Sequence, residues 1–100
     1  MDALKKRIDG DKPVLIDFYA DWCGPCKMMT PILEEFKQMV GDSIDILKID
    51  VDRNMSAAID YQVQSVPTLM FFRSGKLLWK NSGVVRAKEL KQMTDRFLSL

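Results

Sequence analysis

The stretch at residues 14–27, which reads VLIDFYADWCGPCK, decides the fold of this chain. Its first six residues, Val14–Tyr19, are apolar except for Asp17, so we predict a β-strand that is covered on both faces. After a short turn, apolar residues recur at steps of three and four, which indicates one face of a long α-helix. A buried strand followed by a long helix is typical of a sheet with helices on both sides.

The long helix is predicted to continue through a proline. Its apolar positions extend to Val40, and Gly41 and Asp42 then end it. Pro31 lies inside this pattern and removes one backbone hydrogen bond, so we expect the helix to bend there without stopping.

The remaining patterns predict three more strands and three more helices, in the order α, β, α, β, α, β, β, α for the whole chain. The second strand is also expected to be covered on both faces, and Ser74 and Gly75 make the tight turn of a hairpin. A βαβ half followed by a ββα half predicts an α/β fold with a mixed sheet. The predicted strands lie at residues 44–51, 66–72 and 77–82, and the helices at 4–8, 57–61 and 90–98.

The composition predicts one globular domain over residues 1–100. Of these residues 47% are hydrophobic and 29% are charged, which excludes a disordered or fibrous chain. The net charge is +1 and no basic run is longer than Lys5-Lys6-Arg7, so we predict no binding to nucleic acid.

The longest apolar runs, 14–16 and 69–72, are far shorter than the roughly 20 residues that span a bilayer, so no membrane association is expected. The first residues lack the pattern of a secretory signal, which predicts a cytoplasmic protein.

Cys23 and Cys26 are the only cysteines, and the sequence has no histidine. Secreted disulfide scaffolds use more cysteines than these two. A structural zinc site needs four ligands, so zinc would require two thiolates from each of two chains, which the sequence leaves open. The spacing favours redox chemistry, and we predict no metal.

The positions of the two cysteines predict different roles for them. Cys23 stands where the strand leads into the helix, and the unpaired amides and positive dipole end of the helix favour a thiolate there. Cys26 lies about one turn inside the helix, so we expect it to be more buried and to act second. Cys23 is thus the predicted nucleophile and Cys26 the resolving thiol, with two unreactive packed thiols as the alternative.

These residues carry a resemblance to a known family. WCGPCK at residues 22–27, together with DF at 17–18 and VPT at 66–68, resembles the thioredoxin family, and the match extends over nearly the whole chain. The resemblance implies the thioredoxin fold and a protein-disulfide reductase that thioredoxin reductase recharges, with NADPH as the ultimate donor. It implies no bound cofactor, and clients of the ribonucleotide reductase, peroxiredoxin and methionine sulfoxide reductase classes. We expect a monomer.

Asp17 has apolar neighbours on both faces of its strand, so we predict a buried carboxyl with a raised pKa; a partly exposed carboxylate is the alternative. By resemblance to thioredoxins, it sits behind Cys26 and takes the proton of that thiol, through water. The resemblance also implies that the Lys48 ammonium approaches Asp17 and helps to set its pKa, whereas an ordinary lysine that extends to solvent remains equally open. The predicted catalytic residues are Cys23, Cys26, Asp17 and Lys48.

The resemblance further implies a docking groove for an extended client segment. The proline that matches Pro67 is cis in thioredoxins, although the sequence alone predicts trans, and the backbone of Val66 beside it offers a place for a short added strand. Trp22 and Gly83 also have plainer interpretations, as a packed aromatic residue and as a bulge in a strand. The predicted substrate-binding residues are Trp22, Gly24, Pro25, Val66, Pro67, Gly83 and Val84.

Two features favour a reductase over its rivals. Pro25 stands where disulfide isomerases usually have a histidine, whose positive charge would stabilise the thiolate and make the pair an oxidant. An exported oxidant or isomerase is therefore less favoured, and Asp17 argues against a domain that only binds partners.

Only a dozen residues precede Pro13, too few for the extra strand with which thioredoxins usually begin. We therefore predict a sheet of four strands, or five, with an edge that is open or shared.

Overall fold

The computed structural model describes residues 2–98, and these form four α-helices and four β-strands in the predicted order. The strands are β1 (Val14–Tyr19), β2 (Asp45–Asp50), β3 (Thr68–Arg73) and β4 (Lys76–Ser82). The helices are α1 (Asp2–Asp9), α2 (Gly24–Val40), α3 (Met55–Asp60) and α4 (Ala87–Leu98), and a 3₁₀ turn covers Gly41–Ser43. Helix α2 passes through Pro31 without a break, as its periodicity predicts. Across residues 2–98, no helix combines the length and the apolarity that crossing a membrane requires.

The four strands form one mixed sheet in the order β2-β1-β3-β4. Strand β1 pairs with β2 in parallel, and β3 is antiparallel to both β1 and β4. The predicted α/β class and mixed four-stranded sheet are therefore confirmed. In this register Asp17 stands between Lys48 on β2 and Leu69 on β3. The cysteines follow the carboxyl end of β1, which is a central strand, so the sheet places them at the middle of one of its ends.

Helices cover both faces of the sheet, and each layer has its own core. On one face Leu15 of β1 belongs to a buried cluster with Phe36 of α2, and α4 contributes to the same cluster. On the other face Phe18 of β1 clusters with Ile8 of α1. Because side chains alternate along a strand, Asp17 shares its face with Leu15 and points toward the layer of α2 and α4.

Two strands differ in detail from their predictions. Strand β2 was expected to be covered on both faces, but it is an edge strand and most of its residues are only half-buried. Its apolar side chains still pack against both helical layers, whereas the missing second neighbour leaves them partly open. Strand β3 begins at Thr68, two residues later than predicted, because Pro67 has no amide to donate to the ladder.

Helix α1 is fixed to the turn between β3 and β4. The amides of Ser74 and Gly75 donate to the carbonyl oxygens of Gly10 and Ile8, at 3.2 and 2.9 Å. Gly75 has a φ of +81°, and a Cβ at this position would lie 2.8 Å from a carboxyl oxygen of Asp9. The positive φ therefore favours glycine in this turn, whereas the Asp9 carboxyl is the end of a flexible side chain that can move aside.

Candidate active site

Cys23 is the residue that caps the start of α2. Its backbone is extended, with φ −90° and ψ 113°, and its Sγ accepts a hydrogen bond from the Cys26 amide at 3.2 Å. A side-chain oxygen usually satisfies this amide at a helix start, and here a sulfur does so. Pro25 suits the first turn, because the amide that it lacks would have no partner in the helix. The amide and the helix dipole both favour negative charge on the Cys23 sulfur.

The two cysteines form a disulfide, with their Cα atoms 5.3 Å apart. Both are buried, since 4% of Cys23 and 3% of Cys26 is exposed. The predicted difference in burial is therefore slight in the oxidised protein, because Ala20 and Val66 pack against the pair and cover Cys23 as well. The two sulfurs differ in hydrogen bonding instead: the Cys26 amide donates to the Cys23 Sγ, and no donor in residues 2–98 contacts the Cys26 Sγ.

The segment before β3 lies directly beside Cys23. The Cys23 Sγ is 3.6 Å from the carbonyl oxygen of Val66. The Val66–Pro67 peptide bond is cis, which is the isomer that the resemblance implies and the opposite of what the sequence alone predicts. The Pro67 carbonyl accepts the Gly83 amide at 2.9 Å, and Gly83 has a φ of +104°, which favours glycine. These contacts connect Cys23 to the segment of Val66 and Pro67, and connect that segment to Gly83.

Asp17 is fully buried in the middle of β1. Neither of its carboxyl oxygens has a hydrogen-bond partner within residues 2–98. Burial penalises the charged form and raises the pKa of Asp17 from 3.8 to about 6, while the positive charge of Lys48 lowers the pKa by less. The predicted burial is confirmed, and the raised pKa follows from it. The side chain points toward the layer of α2, the helix that carries Cys26.

Lys48 influences Asp17 through its charge and makes no ion pair with it. Its Nζ donates to the Thr30 Oγ1 at 3.1 Å and lies 4.9 Å from the centroid of the Tyr19 ring. The two residues are neighbours across β1 and β2, but the long lysine side chain extends outward toward α2 and stays exposed. Thr30 and Lys48 also line a cavity of about 130 Å³ that reaches Cys26.

Trp22 forms one wall of an apolar groove next to the disulfide. Its side chain is 72% exposed, and its indole N–H donates to the Asp52 carboxylate at 2.9 Å. The groove has a volume of about 290 Å³, and Val66 and two exposed residues of α3, Met55 and Ile59, also line it. The sequence pattern does not single out these α3 residues as functional, although their spacing of four places them on one helix face.

The other predicted substrate-binding residues lie on the surface beside these groups. Gly24 and Pro25 are exposed between the two cysteines, and Val84, which is 38% exposed, adjoins Gly83. In the described part of the chain, no group of three or more His, Cys, Asp or Glu side chains is placed to hold a metal ion. The redox-active groups of the site are the two sulfurs of the Cys23–Cys26 disulfide.

Comparison with known proteins agrees with this arrangement. The sequence model of the family "Thioredoxin" matches residues 2–96. A thioredoxin of Alicyclobacillus acidocaldarius is 46% identical over 93 residues, which cover 92% of this chain and 89% of that protein. Chloroplastic thioredoxin Y of Oryza sativa is 42% identical over 90 residues, which cover 90% of this chain and 54% of that protein. The structure of a mutant thioredoxin from Halobacterium salinarum superimposes with a TM-score of 0.89 at 35% identity and covers 100% of this chain and 87% of that one.

A pair of cysteines that alternates between dithiol and disulfide exchanges two electrons with another disulfide through a mixed disulfide. The match with the family spans both cysteines and nearly all of the described residues. The chain therefore belongs to the thioredoxin family, and it is a protein-disulfide oxidoreductase that works through Cys23 and Cys26.

Proposed function

We propose that this chain is a reductase of protein disulfides that a thioredoxin reductase recharges, with NADPH as the ultimate electron donor. The observation that carries the proposal is the capping of α2 by Cys23, because the Cys26 amide and the helix dipole hold negative charge on the attacking sulfur. Pro25 adds no positive charge between the cysteines, so the dithiol form gains no further stabilisation there. Such a pair retains its disulfide more firmly and donates electrons once it is reduced.

The reaction starts when the Cys23 thiolate attacks one sulfur of a client disulfide. A mixed disulfide forms between Cys23 and the client, and the other client sulfur leaves as a thiolate. The Cys26 thiolate then attacks the Cys23 sulfur, which releases the second client sulfur and forms the Cys23–Cys26 disulfide. Two electrons pass from the protein to the client, and the two client thiolates take protons from solvent.

Asp17 accepts the proton of Cys26 in this scheme. A carboxyl group with a pKa of about 6 is mostly ionised at neutral pH, and it takes up a proton more readily than an ordinary aspartate does. The cavity of about 130 Å³ that Cys26 and Lys48 line has room for water beside the Cys26 sulfur, and a water molecule there would carry the proton inward to Asp17, which does not itself line the cavity. Lys48 acts by opposing the effect of burial on the Asp17 carboxyl.

The client docks as an extended segment beside Val66. The position of the Val66 carbonyl, 3.6 Å from the Cys23 Sγ, supports this, because a strand paired with that backbone would pass directly over the attacking sulfur. Pro67 and Gly83, joined by their hydrogen bond, support the same wall. The exposed surface that completes the docking site consists of Trp22, Gly24, Pro25 and Val84.

The protein works as a monomer in a reducing compartment, and we assign it to the cytoplasm. Recharging by an NADPH-linked reductase requires surroundings in which thiols stay reduced, and the cytoplasm meets this condition. The chloroplastic relative from rice, of which this chain covers only 54%, makes the chloroplast the rival location. Disulfides of the ribonucleotide reductase, peroxiredoxin and methionine sulfoxide reductase classes are the proposed clients.

A coupled assay tests the proposal. The oxidised protein is mixed with NADPH, a bacterial thioredoxin reductase and insulin, and the loss of NADPH absorbance is followed. We expect continuous turnover that depends on both Cys23 and Cys26, so that the Cys23→Ser and Cys26→Ser variants give none. If the wild-type protein reduces insulin with dithiothreitol as donor but never with the reductase, the proposed recharging is wrong. If it reduces insulin with neither donor, the reductase function is wrong.

A further inference from the structure

The groove between Trp22 and α3 is the most apolar open surface beside the reactive sulfurs. Three of the exposed large apolar side chains of residues 2–98 lie in its lining: Trp22 and Ile59, each 72% exposed, and Met55, 66% exposed. Large apolar side chains that meet in one exposed patch usually mark a site of interaction, whereas scattered ones do not. The groove therefore requires a functional explanation.

The groove is continuous with the reaction site at both of its walls. Val66, whose carbonyl lies 3.6 Å from the Cys23 Sγ, is part of the lining. Trp22, the residue before Cys23, forms the facing wall, and its indole is fixed by the hydrogen bond to Asp52. A client segment that reaches Cys23 beside Val66 therefore has its next side chains at the mouth of this groove. This continuity identifies the occupant as the segment that flanks the client cysteine.

The chemistry of the lining selects the client side chain. In the part of the chain that the structure describes, Asp52 is the only charged residue of the lining, and its carboxylate already accepts the indole N–H. An acidic client residue would meet Asp52 as a like charge and would find no positive partner among the lining residues. An aliphatic or aromatic side chain would instead be removed from water by Met55, Ile59 and Trp22.

We propose that Met55 and Ile59 of α3 are specificity-determining residues that make this protein prefer disulfides flanked by a bulky apolar residue. The inference rests on the proposed reductase function and names its substrate class. Binding of the flanking residue precedes the attack of Cys23, so the preference is expressed in KM and leaves kcat largely unchanged. Exchange itself proceeds as described above, with two electrons passing to the client.

Three cyclic disulfide peptides that differ only beside the cysteine, with Leu, Ser or Glu at that position, provide the test. The pre-reduced protein is mixed with each peptide, and KM and kcat are determined with the reductase and NADPH, or with dithiothreitol as donor. We expect kcat/KM for the Leu peptide to exceed that for the Ser peptide about tenfold, and the Glu peptide to be the poorest substrate. Equal values for the three peptides would overturn the proposal.

Variants test whether the side chains of α3 provide the preference for the Leu peptide. The double variant Met55→Ser, Ile59→Ser is expected to lose the preference for Leu, whereas Met55→Leu, Ile59→Leu keeps it. The matched control is Met39→Ser, Leu77→Ser, which removes two exposed apolar side chains outside the groove and should keep the preference. A preference that survives in the groove variant would show that α3 does not provide it.

A small neutral disulfide separates this proposal from the function on which it rests. Hydroxyethyl disulfide has no flanking residue, so the wild-type protein, the two α3 variants and the Met39→Ser, Leu77→Ser control should reduce it at the same rate. Failure of the wild-type protein with this disulfide would contradict the reductase function itself. Reduction of hydroxyethyl disulfide together with no preference among the peptides would contradict only the role of Met55 and Ile59.

Discussion

Replacing Asp17 by asparagine is predicted to stabilise the oxidised protein at neutral and alkaline pH. The carboxyl is fully buried, has no hydrogen-bond partner within residues 2–98, and has a pKa of about 6 in the folded protein against 3.8 as its ordinary value. Each pKa unit corresponds to about 1.4 kcal/mol, so the ionised carboxylate lowers the free energy of unfolding by about 3 kcal/mol. An asparagine side chain has nearly the same shape as the carboxyl and no charge, so Asp17→Asn recovers most of this amount.

The contribution of Asp17 to the free energy of unfolding depends on pH. Well below pH 3.8 both the folded and the unfolded chain carry the proton on Asp17, and the wild-type protein and the variant should be similarly stable. Between about pH 4 and pH 6 the unfolded chain releases the proton while the folded protein keeps it, so the wild-type stability falls as the pH rises. Above pH 7 both states are ionised and the difference levels off.

Urea unfolding of the oxidised proteins at pH 4, 6 and 8, followed by far-ultraviolet circular dichroism, measures this difference. The midpoint of Asp17→Asn minus that of the wild type should increase from pH 4 to pH 8 at an unchanged m value. Asp60→Asn, which alters an exposed carboxylate, is the control and should show no comparable trend. A difference for Asp17→Asn that stays constant over this range would refute the assignment of a raised pKa to the buried carboxyl.

Substitutions at Lys48, Gly75 and Pro25 have equally specific expected outcomes. Lys48→Met removes the charge that lowers the Asp17 pKa, so the pH at which stability levels off should move upward, and an unchanged profile would remove Lys48 from the site. Gly75→Ala should lower the free energy of unfolding by about 1–2 kcal/mol, because φ is +81°, whereas Gly10→Ala, which has no positive φ and only ordinary contacts, should change it by less than about 1 kcal/mol in the same urea assay. Pro25→His should raise the reduction potential, measured against a glutathione buffer, by on the order of 50 mV, because a cationic imidazole stabilises the thiolate; an equal or lower potential would contradict the role given to proline.

The sequence predicts those features that depend on local pattern. The bounds of β1 agree with the prediction because a short, nearly continuous apolar run is typical of a strand that is buried on both faces. The place of Cys23 at a helix start follows from the change of period after Tyr19. The buried state of Asp17 follows from its apolar neighbours on a strand that is central in the sheet.

Other features depend on tertiary contacts that no local pattern contains. The apolar run of β2 resembles that of β1, yet only the strand order shows that β2 lies at an edge and is half-buried. The isomer of the Val66–Pro67 bond is set by the surrounding packing, since the local sequence favours trans. Met55 and Ile59 have the spacing of core residues, and only the folded chain shows that they face solvent beside Trp22.

The unequal reactivity of the two sulfurs tests the central claim most directly. The protein is reduced, treated briefly with iodoacetamide at pH 7, and analysed by mass spectrometry of its peptides. The hydrogen bond from the Cys26 amide and the helix dipole act on the Cys23 sulfur, so Cys23 should be alkylated at least tenfold faster, on the scale of about 1.4 kcal/mol. Equal rates for Cys23 and Cys26, or a faster reaction of Cys26, would contradict the assignment of Cys23 as the nucleophile.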